Sequence, residues 1–230
     1  GVVSLLAVYV FRPLMIRAQR GPPPTTTGGK LPVLALRMGI TVAAAAVNAG
    51  VALGLGLAIA EDHAPTTATA LIILGAHALY VIIDTAWRMA LAPYLAAYRI
   101  PAMTGPEARR LYLGLTGLAA YGVFTSAWCL WLLEMGVAPE LKALNEVGFG
   151  LGAVLLALVV IRVNRAGITR AILRGRPIER ATWIARLGAR LWAPAAVLYV
   201  LVAGVEETIR HILGLEVRIS LLGGMMLTLI

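Results

Sequence analysis

The chain has 230 residues, of which 60% are hydrophobic and 13% are charged, and its mean hydropathy is +0.86. A soluble domain of ordinary composition carries about 25% charged residues and cannot bury so large an apolar share. This composition excludes a secreted enzyme, a nucleic-acid-binding domain and a disordered tail, and it indicates a protein embedded in a membrane.

Charge-free apolar blocks follow one another along the chain, separated by polar or proline-containing segments. There are seven blocks: 1–11, 38–60, 64–83, 111–133, 147–161, 191–205 and 219–230. Three have 20 to 23 residues, which matches the ~20 residues that a membrane-spanning helix needs. The blocks 147–161 and 191–205 have 15 residues each, so they span only if the charged side chains at their ends reach the interface. The sequence predicts an all-α, polytopic membrane protein with five complete transmembrane helices and a truncated one at each end.

The two end blocks stop without a flanking charge, at Gly1 and at Ile230. No signal peptide is visible at the start of the sequence. We therefore expect residues 1–230 to be a piece of a longer protein.

Basic residues are concentrated in alternate segments between the blocks. The 20 Lys and Arg outnumber 11 Asp and Glu, and 17 of the 20 lie in 12–37, 84–110 and 162–190. Because basic loops stay in the cytoplasm, these three segments are predicted to face the cytoplasm of a bacterial inner membrane, with residue 1 outside. The segment 12–37 is predicted to be a linker.

The segment 162–190 is predicted to be a basic helical hairpin on the cytoplasmic side. Its first helix is expected to continue to Leu173, and the next is expected to start at Ile178. Arginines at a cytoplasmic surface attract anionic lipid headgroups, although they also serve simply to fix orientation. The candidates for headgroup contact are Arg109, Arg110, Arg162, Arg165, Arg170, Arg174 and Arg176.

Polar side chains within the blocks are the candidates for ion or proton handling. They are Asn48, His77 and Asp84. Asp84 is expected to pair with Arg88 four residues later, which leaves His77 either functional or held by a neighbouring hydrogen bond. Two small-xxx-small pairs, Gly50 with Gly54 and Gly148 with Gly152, predict close helix approach.

Four stretches of the sequence resemble one family. They are Leu91-Ala92-Pro93, the run Pro106-Glu107-Ala108-Arg109-Arg110-Leu111-Tyr112 at the start of a helix, the Gly-Val-Ala-Pro turn at 136–139, and the Arg-rich exit at 162–176 before a Trp-bearing helix. Over about 85–215 the chain is similar to large bacterial channels of the small-conductance mechanosensitive (MscS) superfamily, which carry extra N-terminal membrane helices.

The resemblance implies a homo-oligomeric, heptameric channel that bilayer tension opens and that releases ions and small solutes on hypo-osmotic shock. It also implies that the pore helix and a cytosolic domain follow Ile230, so the present chain would supply the tension-sensing helices. Membrane lipids, with anionic headgroups on the cytoplasmic side, are then the expected partners, without nucleic acid.

Two other classes stay open. A secondary transporter would show inverted repeats and discontinuous helices, and no repeat is evident in the sequence. A membrane scaffold or enzyme subunit is the other class, but the blocks contain no Ser/His/Asp, HExxH or paired-carboxylate arrangement. With Cys129 as its single cysteine, one chain forms no disulfide framework or thiolate metal site. We predict neither enzymatic activity nor a cofactor.

Overall fold

The computed structural model describes residues 27–59 and 64–213. This part of the chain contains five α-helices and no strand, and each helix is long and apolar enough to cross a membrane. The predicted all-α, multi-pass architecture is therefore confirmed for the described residues. The two predicted truncated helices, 1–11 and 219–230, lie outside them.

The five helices are α1 (Thr27–Ile59), α2 (Ala64–Leu91), α3 (Gly105–Glu134), α4 (Pro139–Ile172) and α5 (Trp183–Ile212). They have 28 to 34 residues each, and α3, α4 and α5 extend beyond their apolar blocks at both ends, whereas α1 and α2 do so at one end. Within the segment 12–37 that we predicted to be a linker, residues 27–37 form the first turns of α1. Lys30 and Arg37 delimit the apolar block, but neither residue type opposes helix formation.

The described chain divides into two compact units, which we call the helix pair (α1, α2 and the segment to Ile100) and the helix trio (Pro101 onward, with α3, α4 and α5). In the helix pair, α1 packs against α2. The Nζ of Lys30 donates a hydrogen bond of 3.1 Å to the carbonyl of Arg99. The start of α1 thus lies beside the segment that follows α2, and the two helices are antiparallel.

In the helix trio, α4 packs against both α3 and α5, which share few contacts with each other. Later residues of α3 contact earlier residues of α4. Gly114 lies against Val160, and the Oη of Tyr121 donates to the carbonyl of Phe149 at 3.1 Å. Successive helices of the trio are therefore antiparallel neighbours, as short connections require.

Local sequence signals set the limits of α3. Thr104 caps the first turn in a capping box with Glu107, and a proline stands in that turn, where its missing N–H costs nothing. At the other end Gly136 adopts a φ of +71°, and the N–H of Val137 bonds back to Leu132 at 3.0 Å. This is the Schellman arrangement, which a glycine permits without steric cost.

The turn after α4 uses the same hydrogen-bond pattern with a less suitable residue. The N–H of Gly175 bonds to the carbonyl of Arg170 at 2.9 Å, while Arg174 itself takes the left-handed conformation, with a φ of +52°. α4 ends at Ile172, one residue before the predicted end, and α5 begins at Trp183 after a short 3-10 turn, Ile178–Arg180.

Candidate lipid-contact surface

Large apolar side chains are exposed along all five helices. Examples on the outward faces are Leu55, Ile73, Phe124, Leu155 and Leu198, each more than half exposed. Side chains of this kind are stable outside a protein core only where lipid or another protein replaces water. The described chain is therefore a multi-pass membrane protein with wide lipid-accessible faces.

Most of the predicted headgroup arginines lie on the surface at one end of the helix trio. Arg109 and Arg110 are exposed in the first turns of α3, and Arg162 and Arg165 are exposed toward the end of α4. The turn that follows carries exposed Arg174 and Arg176. The start of α3, the end of α4 and the start of α5 all lie at this end, so their arginines form one basic rim.

Arg170 differs from the other arginines of the basic rim because it joins two helices. Its Nη1 lies 2.8 Å from Oε2 of Glu107, and the same oxygen accepts the N–H of Thr104 at 2.9 Å. A Cβ added at Gly167 would lie 3.2 Å from the Cβ of Glu107, so a small residue lets α3 and α4 approach here. Arg170 thus fixes the α3–α4 contact as well as exposing part of its guanidinium.

The start of α5 is attached to the end of α4 by one polar bond between side chains. Nε1 of Trp192 donates to Oγ1 of Thr169 at 2.9 Å. Gly188 then lies one turn earlier on α5, where an added Cβ would be 3.5 Å from Ile172. These contacts hold the arginines of α4 and α5 at the same end of the trio.

The helix pair also has a basic end. Nε of Arg99 donates to the carbonyl of Leu91 at 3.3 Å and its Nη2 donates to Ala92 at 3.5 Å. The carbonyl of Leu91 is among those that a helix leaves without partners at its C-terminus, where a cation is favourable, whereas the carbonyl of Ala92 also accepts the N–H of Leu95 at 3.1 Å. Arg99 therefore stabilises the C-terminus of α2. On α1, Nε of Arg37 is buried without a hydrogen-bond partner among the described residues.

The polar candidates within the blocks do not come together as a site. Nη2 of Arg88 binds Oδ2 of Asp84 at 2.7 Å, which confirms the predicted pair. His77 is exposed on α2, and Asn48 is half-buried on α1. No cluster of three or more metal-ligating side chains occurs in the part of the chain that the structure describes.

The opposite end of α3 carries an aromatic group that the sequence analysis did not single out. The rings of Phe124 and Trp128 stack with centroids 6.4 Å apart, and Trp131 lies 5.4 Å from Trp128. Phe124 is 61% exposed and Trp128 is 39% exposed, whereas Cys129 on the same stretch is buried. Tryptophan side chains prefer the membrane interface. The spacing of three to four residues between these aromatic residues is the sequence feature that could have predicted the group.

The glycines that let helices meet were only partly predicted. A Cβ added at Gly50, Gly54 or Gly148 would have no atom of another helix within 4 Å. The prediction that helices approach closely at these three glycines is therefore wrong in the described structure. Gly152 does meet another helix, because its added Cβ would overlap the hydroxyl of Tyr121. Gly114 and Gly167 were missed, since neither belongs to the small-xxx-small pairs that we considered.

The fold and this surface define a class, multi-pass α-helical membrane proteins with lipid-accessible faces and a basic rim. Comparison with known proteins does not take the identity further. No family model, curated protein or solved structure matches the chain.

Proposed function

We propose that these helices are the lipid-facing, tension-sensing part of a mechanosensitive ion channel of the MscS superfamily, which releases ions and small solutes on hypo-osmotic shock. The observation that carries the proposal is the wide apolar exposure of the helices, together with the thin packing of the trio, in which α3 and α5 each pack mainly against α4. The four stretches of sequence resemblance supply the family.

Thin packing suits a tension sensor for a physical reason. Tension favours the state that occupies more area in the membrane plane, and it selects between states only through a difference in how they contact lipid. Helices with few mutual contacts tilt at a modest cost when the bilayer thins. In the trio, α3 and α5 pack mainly against α4 and little against each other, so they are the helices that can move apart.

The proposed setting is a bacterial inner membrane in which the basic ends of both units face the cytoplasm. Exposed arginines of the rim, such as Arg165 and Arg176, then lie near anionic headgroups, where each contributes about 1 kcal/mol. The resemblance supports a homo-oligomer, a heptamer, whose conducting pore lies outside residues 1–230.

The first test separates headgroup contact from helix packing in the full-length channel. Arg162, Arg165 and Arg176 are exposed, and no side-chain bond to another helix involves them in the described part of the chain. Replacing all three by Gln should shift the opening tension in patched membranes while conductance stays the same. Arg170→Gln is the control for an effect of helix packing, because it removes an arginine and also breaks the bond to Glu107. An opening threshold unchanged by the triple substitution in both anionic and neutral bilayers contradicts a lipid-sensing role.

The second test asks whether this chain conducts by itself. Residues 1–230 expressed alone should give no tension-activated current, since the pore is proposed to lie elsewhere. A stretch-activated conductance from residues 1–230 would refute that part of the proposal.

The third test concerns orientation. Single cysteines at Glu140 and Arg176, near opposite ends of α4, are introduced after Cys129 is replaced by Ser. A membrane-impermeant thiol reagent applied to intact cells should label position 140 and leave position 176 unlabelled. The reverse pattern would invert the proposed topology.

A further inference from the structure

Glycines are concentrated in one turn of α4. Gly148, Gly150 and Gly152 lie within five residues of sequence, and α4 runs through them as one continuous helix. A glycine restricts the backbone less than any other residue does, so this glycine turn, residues 148–152, is where α4 bends most easily. A Cβ added at Gly148 or Gly150 would have no atom of another helix within 4 Å. Close packing therefore does not require these two glycines.

The glycine turn separates two parts of α4 that differ in burial. None of the residues 139–152 is buried, whereas six residues from Ala153 to Gly167 are. The buried cluster that α4 shares with α5 contains Ala157 and Ile161, which both follow the glycine turn. Farther along, Arg170 binds Glu107 of α3. The part of α4 after the glycine turn is therefore held by both neighbouring helices, and the part before it is less constrained.

One side chain of α3 spans the glycine turn. Tyr121 donates its hydroxyl to the carbonyl of Phe149 at 3.1 Å, and its ring meets that of Phe149 edge to face, with centroids 6.5 Å apart. The same hydroxyl lies so close to Gly152 that an added Cβ would overlap it. Tyr121 thus contacts the turn at both ends. Gly152 permits this contact, which is a packing role that Gly148 and Gly150 do not have.

The part of α4 before the glycine turn is tied to the end of α3. α3 ends at Glu134 and α4 begins at Pro139, so a short turn joins them and the two helix ends move together. α3 also has glycines on both sides of Tyr121, Gly117 and Gly122. Both helices therefore have glycines at nearly the same level. The segment beyond that level, residues 123–147, is called the hairpin tip below.

We propose that the glycine turn is a hinge of α4 and that the hydroxyl of Tyr121 is its latch. While the hydroxyl is bonded to Phe149, the hairpin tip stays in line with the rest of the trio. When this bond breaks, the tip tilts about the glycines, and the buried contacts of α4 with α5 stay in place. The hinge goes beyond the proposed function and does not depend on channel activity. In a bilayer that thins, it lets the tip tilt without opening the buried cluster.

The hinge is tested by double electron–electron resonance on the 230-residue chain in lipid vesicles, without any current. Cys129 is replaced by Ser, and spin labels are attached to pairs of introduced cysteines. One pair, at Leu144 in the hairpin tip and Leu198 on α5, spans the hinge, and both positions are exposed. The reference pair, at exposed Leu113 near the start of α3 and Leu198, lies on the other side of the hinge from the tip.

Variants assign the motion to the latch and to the glycines. Tyr121→Phe keeps the ring, and it should raise the fraction of tilted tips about fivefold, the ratio that the loss of one neutral hydrogen bond gives. The double variant Gly148→Ala, Gly150→Ala should narrow the distance distribution across the hinge, because alanine stiffens a helix. The open space at both glycines lets this variant fold. Gly75→Ala on α2, also with open space, is the matched control and should change neither distance.

Three outcomes would overturn the hinge. A distance distribution across the hinge that Tyr121→Phe leaves unchanged or narrows would show that the hydroxyl is not a latch. Equal broadening for the spanning pair and the reference pair would show a general loosening of the trio instead of bending at one level. A distribution that the double alanine variant leaves as wide as before would show that the glycines do not set the flexibility of α4.

Discussion

The helix pair and the helix trio are built from comparably apolar helices but bury different shares of them. In the most apolar 18-residue windows, 6% of residues in α1 and none in α2 are buried, against 33% in α3 and 22% in α4. The apolar character of the helices does not explain the different buried shares of the two units, because lipid is as favourable a surrounding for Leu as another helix is. Close glycine contacts and polar bonds between helices, which are frequent in the trio, make the difference.

The largest expected effect comes from filling the Tyr121 contact in the trio. The Cβ of Gly152→Ala overlaps the tyrosine hydroxyl, so the ring must move and its bond to Phe149 is lost. We expect a loss of about 1–3 kcal/mol in unfolding free energy in detergent micelles. Gly148→Ala on the same helix and Gly50→Ala in the pair have open space and should cause no loss. An equal loss at all three positions would break the distinction between the two units.

Removing the carboxylate that joins α3 to α4 should have the next largest effect. Glu107→Gln weakens both the cap on Thr104 and the ion pair with Arg170, and we expect a loss of about 1–2 kcal/mol. Asp84→Asn is the counterpart in the pair and breaks a bond within one helix, worth about 0.3–0.5 kcal/mol. Thermal unfolding of both variants measures the contrast. Equal losses would mean that the α3–α4 bond contributes nothing beyond a local ion pair.

The hydrogen bond between the side chains of Trp192 and Thr169 shows how much one polar contact between α4 and α5 stabilises the trio. Trp192→Phe keeps the aromatic packing but removes the donor to Thr169, for an expected loss of about 0.5–1.5 kcal/mol. Adding Thr169→Val to Trp192→Phe should then cost little more, because the partner is already gone. Additive losses in this double-mutant cycle would show that the two residues act independently.

Two left-handed residues, one in each unit, are the positions where a substitution should raise stability instead of lowering it. Arg174 has a φ of +52° and Ala92 a φ of +36°, both outside the region that a side chain prefers. Arg174→Gly should raise the unfolding free energy by about 1 kcal/mol, as relief of left-handed strain does. Ala92→Gly should give a smaller gain, because Ala92 is buried and the variant loses a packed methyl group. A loss of stability in Arg174→Gly would show that its side chain is needed for packing at the α4 turn.

Part of the candidate surface was predictable because its signals are local in the sequence. Asp84 and Arg88 are four residues apart and meet on any helix, so their pairing needed no tertiary information. The capping box of Thr104 and Glu107 lies within four residues of sequence in the same way. The end of α4 was likewise predicted to within one residue.

The partners of Arg170 and Gly152 could not be predicted in this way. Arg170 looked like the neighbouring arginines, and only its position opposite Glu107, 63 residues earlier, makes it a packing residue. Gly152 and Gly148 look alike in sequence, yet one meets Tyr121 and the other meets nothing within 4 Å. Which face of a helix meets its neighbour depends on rotation about the helix axis.

The sequence by itself determined that this is an all-α, multi-pass membrane protein and where most of its basic residues are concentrated. Hydrophobic length and charge are properties of single segments, and a bilayer acts on each segment separately. The tertiary structure alone decided which glycines and arginines join helices. These features depend on the register between helices, which a uniformly apolar pattern leaves open because every face of such a helix is equally stable in lipid.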